Sequence, residues 1–203
     1  EEGKSTISSI TSSFNRNTTD YRPDPSRGGV LDVSWEFAGL GGTEKFSKYL
    51  FDYRHFWPAF WGTTFVTHGQ IGYVHAYDGK EIPLDERFYL GGINTIRGFE
   101  TREVGPRDPE TGDFTGGNKE TFFNFEYVFP IARDLGVKGV VFFDVGNTWD
   151  ESEDWFEEWR YSTGAGIRWL SPLGPLRLEW GYNLDPKEYE DDSKFEFMVG
   201  RFF

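Results

Sequence analysis

Reading the chain in steps of two sorts its residues onto two chemically different faces, and nothing else in the sequence constrains the fold as much. From 121 to 131 the odd positions are Thr121, Phe123, Phe125, Tyr127, Phe129 and Ile131, and the even ones include Asn124 and Glu126. From 137 to 146, Val137, Gly139, Val141, Phe143 and Val145 alternate with positions that carry Lys138 and Asp144. Tyr161, Thr163, Ala165, Ile167 and Trp169 alternate with Ser162, Gly164, Gly166 and Arg168; Leu176, Leu178, Trp180, Tyr182 and Leu184 alternate with Arg177, Glu179, Gly181 and Asn183. The rhythm returns at Phe195, Phe197 and Val199, with Phe203 beyond them. Upstream it runs through Leu31, Val33, Trp35 and Phe37, through Tyr49, Phe51, Tyr53 and Trp57, and more loosely over 63–76. A segment at 5–14 is weak, with Ser and Thr on both faces. Period two belongs to strands, and about nine to eleven residues is what a tilted strand needs to cross a bilayer. The expectation is an all-β chain of about 8–9 strands.

Two architectures carry this pattern. A soluble sandwich turns the apolar face inward, whereas a membrane barrel inverts it. The hydrophobic fraction, 37%, is below the roughly 45–50% of globular proteins, yet aromatics make up 19% of the chain, so half the apolar residues are rings. No run approaches the ~18 apolar residues of a spanning helix. The connections alternate in length. Asp20–Gly29 (the longest of its set), Pro58–Gly62, Pro130–Gly136 and Ser171–Pro175 are short, whereas Ala38–Glu44, Tyr77–Glu120, Asn147–Trp159 and Asn183–Ser193 are long or acidic. Short turns at one end and long loops at the other are the outer-membrane layout. Trp57, Trp61, Trp149, Trp159 and Trp169 fall near segment ends, where an aromatic girdle sits. The pattern predicts a transmembrane antiparallel β-barrel, or a portion of one. Bacterial single-chain barrels have even strand numbers, and an open edge in lipid leaves backbone groups unsatisfied. Either the first segment does not span, or further strands precede it; the start Glu1-Glu2-Gly3-Lys4, with no signal peptide, favours a truncated or mature piece.

Several function classes fall away. A net charge of −13 disfavours nucleic acid, which calls for a basic face. The absence of cysteine excludes disulfides and thiolate metal sites. His55 and His75 fall on the outer face and His68 on the inner one, with no metal-ligand spacing. No nucleophile motif surrounds any serine. The expectation is a non-enzymatic protein without catalytic residues, cofactor or metal. The acidic runs (Glu151, Glu153, Asp154, Glu157, Glu158; Glu188, Glu190, Asp191, Asp192) lack an EF-hand pattern and read as solvated loops. Arg201 takes the lipid-side register of the last segment and is expected to snorkel.

The 77–120 connection exceeds the usual length of loops in compact domains. Its centre, Arg87 to Glu100, holds hydrophobics, paired glycines and Arg97, which suits a segment that packs against something. A guanidinium inside a barrel needs carboxylate partners, which it engages bidentately. The inward register offers Glu126 and Asp144 on adjacent strands. The plainer alternative is a solvated arginine in a surface loop.

Leu90-Gly-Gly-Ile-Asn-Thr-Ile-Arg-Gly-Phe99 resembles the VRGF-type motif of the BamA family of outer-membrane assembly factors, with Ile96 where valine is commoner. Phe142-Phe-Asp-Val-Gly-Asn-Thr-Trp149 is similar to the strand motif that follows it, Asp24-Pro-Ser-Arg-Gly-Gly29 to a family turn, and Phe195 to Phe203 to the terminal β-signal. These motifs, in this order, cover essentially all of 1–203. The resemblance implies the C-terminal part of such a barrel, without POTRA domains. It implies that 77–120, an extracellular-side loop, folds into the lumen, with Ile96, Arg97, Gly98 and Phe99 as its motif and Arg97 paired to Glu126 and Asp144. The terminal strand, with Phe195, Phe197, Val199, Gly200 and Phe203, is expected to close the barrel against its first strand, at a lateral seam able to template an incoming strand. The implied function is folding and insertion of β-barrel proteins into the outer membrane of a Gram-negative bacterium. Implied partners are unfolded β-barrel clients, outer-membrane lipids including lipopolysaccharide, and assembly-complex lipoproteins reached mainly through domains outside this stretch. Alternatives are a passive pore or polypeptide translocation channel, and an inactive truncated barrel.

Overall fold

A computed structural model describes residues 5–172, 174–200 and 202. Nine strands follow one another: β1 (Ser9–Asn17), β2 (Gly28–Ala38), β3 (Phe46–Pro58), β4 (Thr64–Ala76), β5 (Lys119–Ala132), β6 (Val137–Trp149), β7 (Arg160–Ser171), β8 (Gly174–Asn183) and β9 (Ser193–Val199). Each pairs antiparallel with its neighbour in the chain, giving a single nine-stranded meander. The weak first segment is thus a strand, displaced to Ser9–Asn17 and exposed along its whole length. Among the described residues no ladder joins β9 to β1, so the expected closure of the terminal strand on the first is not present here. Parity explains this. With an odd number of strands in a meander, β1 and β9 run in the same direction, and a seam between them would be parallel, unlike all eight ladders.

The alternation decides between sandwich and barrel. Along β8, Arg177, Glu179, Gly181 and Asn183 are buried while Leu178, Trp180 and Tyr182 are exposed. Along β6, Phe142 and Asp144 are buried between exposed Val141 and Phe143. The same holds for Trp35 on β2 and for Tyr49, Phe51 and Tyr53 on β3, all exposed. A sheet that shelters its charges and presents its rings outward has the polarity of a membrane barrel wall. In water that outer wall would be an apolar patch far larger than a soluble monomer carries.

The ends differ as the connections require. Links 59–63 and 133–136 lie at one end, and 77–118, 150–159 and 184–192 at the other. Trp149 departs from the girdle expectation, because it is buried rather than at the lipid boundary. Link 150–159 folds over it: its Nε1 donates to the Glu157 carbonyl at 2.7 Å, and the Trp155, Phe156 and Trp159 rings pack around it.

At the short-turn end, link 18–27 is held by one carboxylate. Asp20 accepts the N–H groups of Tyr21, Ser26 and Arg27 at 2.9–3.2 Å and the Ser26 hydroxyl at 2.6 Å. Slight burial pushes Asp20 up, but the Ser26 hydroxyl and these three N–H groups outweigh it and hold it at about 2. A depressed folded pKa contributes stability above the unfolded value and loses it as pH falls through the folded one. The link should therefore loosen as pH falls from about 4 towards 2, seen as faster amide exchange at Ser26 and Arg27; Asp20→Asn should show that exchange at neutral pH. From the same link Asp24 reaches Lys138 on β6, Oδ2 to Nζ at 2.6 Å. The contact ties the free β1–β2 edge to the middle of the sheet, so a zero-length carbodiimide should join Asp24 to Lys138, detectable as a linked peptide by mass spectrometry.

Candidate functional site: a loop arginine on the inner face

The 77–118 link enters the concave face through short backbone ladders. Phe88 and Gly117 exchange N–H···O bonds at 2.9 Å, and the Val104 N–H donates to the Leu90 carbonyl at 3.1 Å. Between these rungs a turn closes where the Thr95 and Gly92 N–H groups donate to the Gly92 and Ile96 carbonyls, both at 3.0 Å. The segment brings its own apolar core: Leu90, Ile96, Phe99 and Val104 cluster with Phe122 of β5. Burying side chains of this kind contributes about 1.5–3 kcal/mol each, which offsets the ordering of so long a link.

That packing delivers Arg97 to the sheet, 1% exposed. Its Nε and Nη2 donate to the two oxygens of Asp144 at 2.8 and 2.6 Å, and its backbone N–H donates to the same carboxylate at 3.0 Å. Nη1 donates to Glu126 at 2.7 Å and to Glu179 at 2.8 Å. The guanidinium carbon lies 3.5 Å from the centre of the Phe142 ring, a cation–π contact in a desolvated setting. Asp144 is steadied in turn by Asn124, whose Nδ2 donates to it at 2.8 Å and to the Thr95 carbonyl at 2.5 Å.

Two further arginines complete the network. Arg168 of β7 donates to Glu126 and to Glu179, all at 2.8 Å. Arg177 of β8 donates to Glu179 at 2.9 and 3.1 Å and to the Ile93 carbonyl of the loop at 3.1 Å. Three guanidinium groups thus meet three carboxylates, so the desolvation of each charge is compensated by several charge-assisted hydrogen bonds. Beside them His68 bridges Asp52 at 2.6 Å and Asn124 at 2.9 Å. The arrangement sets permanent cations against hydrogen-bonded carboxylates; it can hold a segment in place.

The other singled-out residues are placed as follows. Ile96 and Phe99 lie in the loop's apolar core, and Arg160 stands over the Phe99 ring at 5.2 Å. Gly98 has φ +87° and lies against β8, where a Cβ would come within 2.9 Å of the Gly181 carbonyl carbon. A Cβ on Gly181 would come within 2.4 Å of the Gly98 nitrogen. Gly181→Val should therefore lift the loop from the wall by overpacking, at about 1–3 kcal/mol; protease cleavage within 88–104 of the folded protein in micelles would reveal it. Phe195, Phe197 and Val199 point outward from β9, and Gly200 follows with φ +120°. Phe202 turns inward and is buried, whereas Arg201 and Phe203 lie outside the described residues. Glu126 and Asp144 stand where the inward register puts them; Glu179, Arg168, Arg177, Asn124 and Gly181 also occupy inward positions, which periodicity alone does not mark as site positions.

Comparisons with known proteins bear on the family and the fold. The Omp85 superfamily domain matches residues 1–203. The outer membrane protein assembly factor BamA of Nitratidesulfovibrio vulgaris is 38% identical over 210 residues, covering 100% of this chain and 26% of that protein. BamA of Neisseria meningitidis serogroup B is 30% identical over 222 residues, covering 94% of this chain and 28% of that protein. The chain therefore spans about a quarter of the length of these relatives. The crystal structure of Haemophilus ducreyi BamA lacking POTRA domains 1–3 superposes with a TM-score of 0.83, over 93% of this chain and 41% of that one, at 22% identity. At that identity the likeness speaks for the fold, an all-β wall like that of a BamA barrel. With the family domain matched from end to end, the chain belongs to the Omp85 superfamily.

Proposed function

We propose that residues 1–203 form the C-terminal part of a β-barrel assembly factor of the bacterial outer membrane, which folds and inserts other β-barrel proteins without catalysis or cofactor. Two of its relatives are named outer membrane protein assembly factors. The observation that carries the reading is Arg97, buried against Asp144, Glu126 and Glu179. It roots the 77–120 loop on the inner face, in the family's motif, and stabilises the barrel wall. The second support is the outer edge of β9, whose backbone groups have no ladder partner among the described residues. Phe195, Phe197 and Val199 on that strand, with Gly200 after it, form the seam where a client strand is added by β-augmentation, and the terminal sequence to Phe203 is the recognition signal. Unfolded barrel clients, outer-membrane lipids including lipopolysaccharide, and assembly lipoproteins are its partners, the last mainly through domains outside this stretch. A passive pore would need an unobstructed inner face, and the packed segment 88–104 weighs against it.

The test is reconstitution in liposomes, with the folding rate of an unfolded barrel client compared with that in empty liposomes. The full-length Nitratidesulfovibrio vulgaris relative runs alongside. Acceleration by this chain places the seam and loop within these residues. Acceleration by the relative alone assigns activity to the remaining three quarters, and no acceleration by either removes the insertase reading.

A further inference from the structure

A second cluster of charges lies in the long link, apart from the network around Arg97. Within 77–118 a small hairpin forms where the Asp108 and Thr115 N–H groups donate to the Asp113 and Pro106 carbonyls at 2.8 and 3.0 Å. It stands beside link 184–192, with the Phe114 and Tyr189 ring centres 6.3 Å apart. The two links enclose a cavity of about 420 Å³, whose lining includes Tyr89, Arg102, Glu103, Arg107, Asp113 and Tyr189. That volume falls within the roughly 300–1,000 Å³ of small-molecule sites.

Two cations and two anions line this cavity, yet among the described residues none of the four forms an ion pair. Each guanidinium is mounted on an aromatic face instead. The Arg102 Cζ lies 3.9 Å from the centre of the Tyr89 ring, and the Arg107 Cζ 3.7 Å from that of Tyr189. Both mounts are braced. The Tyr89 hydroxyl donates to the Thr115 carbonyl at 3.1 Å, and Gly116 leaves room for the ring, since a Cβ there would come within 2.6 Å of its Cζ. Arg107 donates from Nε to the Gly112 carbonyl at 2.7 Å, and a Cβ on Gly112 would come within 3.1 Å of Arg107 Nη2. Arg102 itself has φ +70°, a left-handed backbone that is costly for a residue other than glycine. Strain of this kind clusters at ligand clamps.

Charge selects the ligand. Stacking occupies the face of a guanidinium and leaves its N–H edge for bidentate bonds to an oxyanion. A lone anion would also meet Glu103 and Asp113 in the same cavity, and a lone cation would meet Arg102 and Arg107. A molecule that carries both charges a few bonds apart satisfies both pairs at once. We propose that this cavity binds a small zwitterion of the phosphoethanolamine class, its phosphoryl oxygens held by Arg102 and Arg107 and its ammonium by Glu103 and Asp113. The site is independent of the seam on β9 and of the buried arginine network. The same group occurs as a free molecule and as the head of a phospholipid, so the test separates the two sources.

The folded chain in micelles of a phosphate-free detergent is titrated against O-phosphoethanolamine, followed by line broadening of the ligand's NMR signals. Half-saturation at about 1 mM is expected for a ligand of this size, with inorganic phosphate and ethanolamine each about tenfold weaker because each offers one charge. Arg102→Gln and Asp113→Asn should each weaken binding about tenfold, while heat-modifiable gel mobility stays that of the parent chain. Doping the micelles with lysophosphatidylethanolamine identifies the source. Displacement of the free ligand assigns the site to a lipid head group and unchanged binding assigns it to a free molecule, and either upholds the zwitterion site. Inorganic phosphate that binds as tightly as O-phosphoethanolamine overturns it, as does binding that survives in both variants. Absence of any broadening by O-phosphoethanolamine, in a chain whose gel mobility shows it folded, also overturns it.

Discussion

Arg97→Glu should abolish stable folding of this chain in micelles or vesicles. The guanidinium is buried against three carboxylates, and truncating one member of a buried pair typically costs about 3–5 kcal/mol. Reversing its charge adds repulsion from Asp144, Glu126 and Glu179 together, so the loss exceeds that range and approaches the whole stability of an ordinary domain, about 5–15 kcal/mol. Urea titration followed by tryptophan emission, with heat-modifiable gel mobility, checks it. Arg97→Met removes the charge alone and should leave a folded but weakened protein whose loop is cut by protease. Adding Asp144→Arg to Arg97→Glu restores the charge balance and should recover part of the folded fraction. Recovery is incomplete because Asp144 also accepts the Arg97 backbone N–H at 3.0 Å and the Asn124 amide at 2.8 Å, bonds that arginine cannot accept. Absence of any rescue would mean that the ion pair does not govern the loop's position.

The strands and their inward register were legible because period two survives in single residues: Glu126 and Asp144 alternate with rings, and the fold places both inside. The long link was legible by length and by its Arg-Gly-Phe core. Glu179, Arg168 and Arg177 are not distinguishable in the sequence, for a physical reason. Charges on a barrel's inner register are expected everywhere, and what distinguishes these is proximity across β5, β6, β7 and β8, which depends on ladder registers such as Arg168↔Arg177 and Glu126↔Phe142. Those registers are fixed by turns and packing, not by composition. Gly181 could have been found, since a glycine on an inward position suggests close backbone approach, but the approaching residue, Gly98, lies in a link with no period. Trp149 leaves the girdle because a ring near a strand end has two apolar destinations, lipid or an overlying loop, and Trp155, Phe156 and Trp159 of link 150–159 supply the second.

Glu179→Gln should destabilise the chain nearly as much as Glu179→Ala, by about 3–5 kcal/mol, and more than Glu126→Gln. Glu179 is the one carboxylate that serves all three arginines: Arg168 and Arg177 at Oε1, Arg177 and Arg97 at Oε2. Glutamine keeps the shape but turns one acceptor oxygen into an NH₂ donor facing guanidinium donors, so the isosteric change offers no relief. Glu126 is seen to accept from Arg97 and Arg168, and both keep another carboxylate when it is lost. Arg177 differs, because among the described residues Glu179 is the only carboxylate it contacts, its other acceptor there being the Ile93 carbonyl. Removing Glu179 strands that buried cation. Arg177→Met in the Glu179→Gln background should therefore return part of the loss, with a coupling of about 0.5–3 kcal/mol in a double-mutant cycle, read from urea unfolding in the same vesicles. Strict additivity would mean that Arg177 draws its compensation from elsewhere on the inner face. A positive coupling, together with the rescue of Arg97→Glu by Asp144→Arg, would establish that loop and wall are held by one charge-balanced network rather than by a single contact.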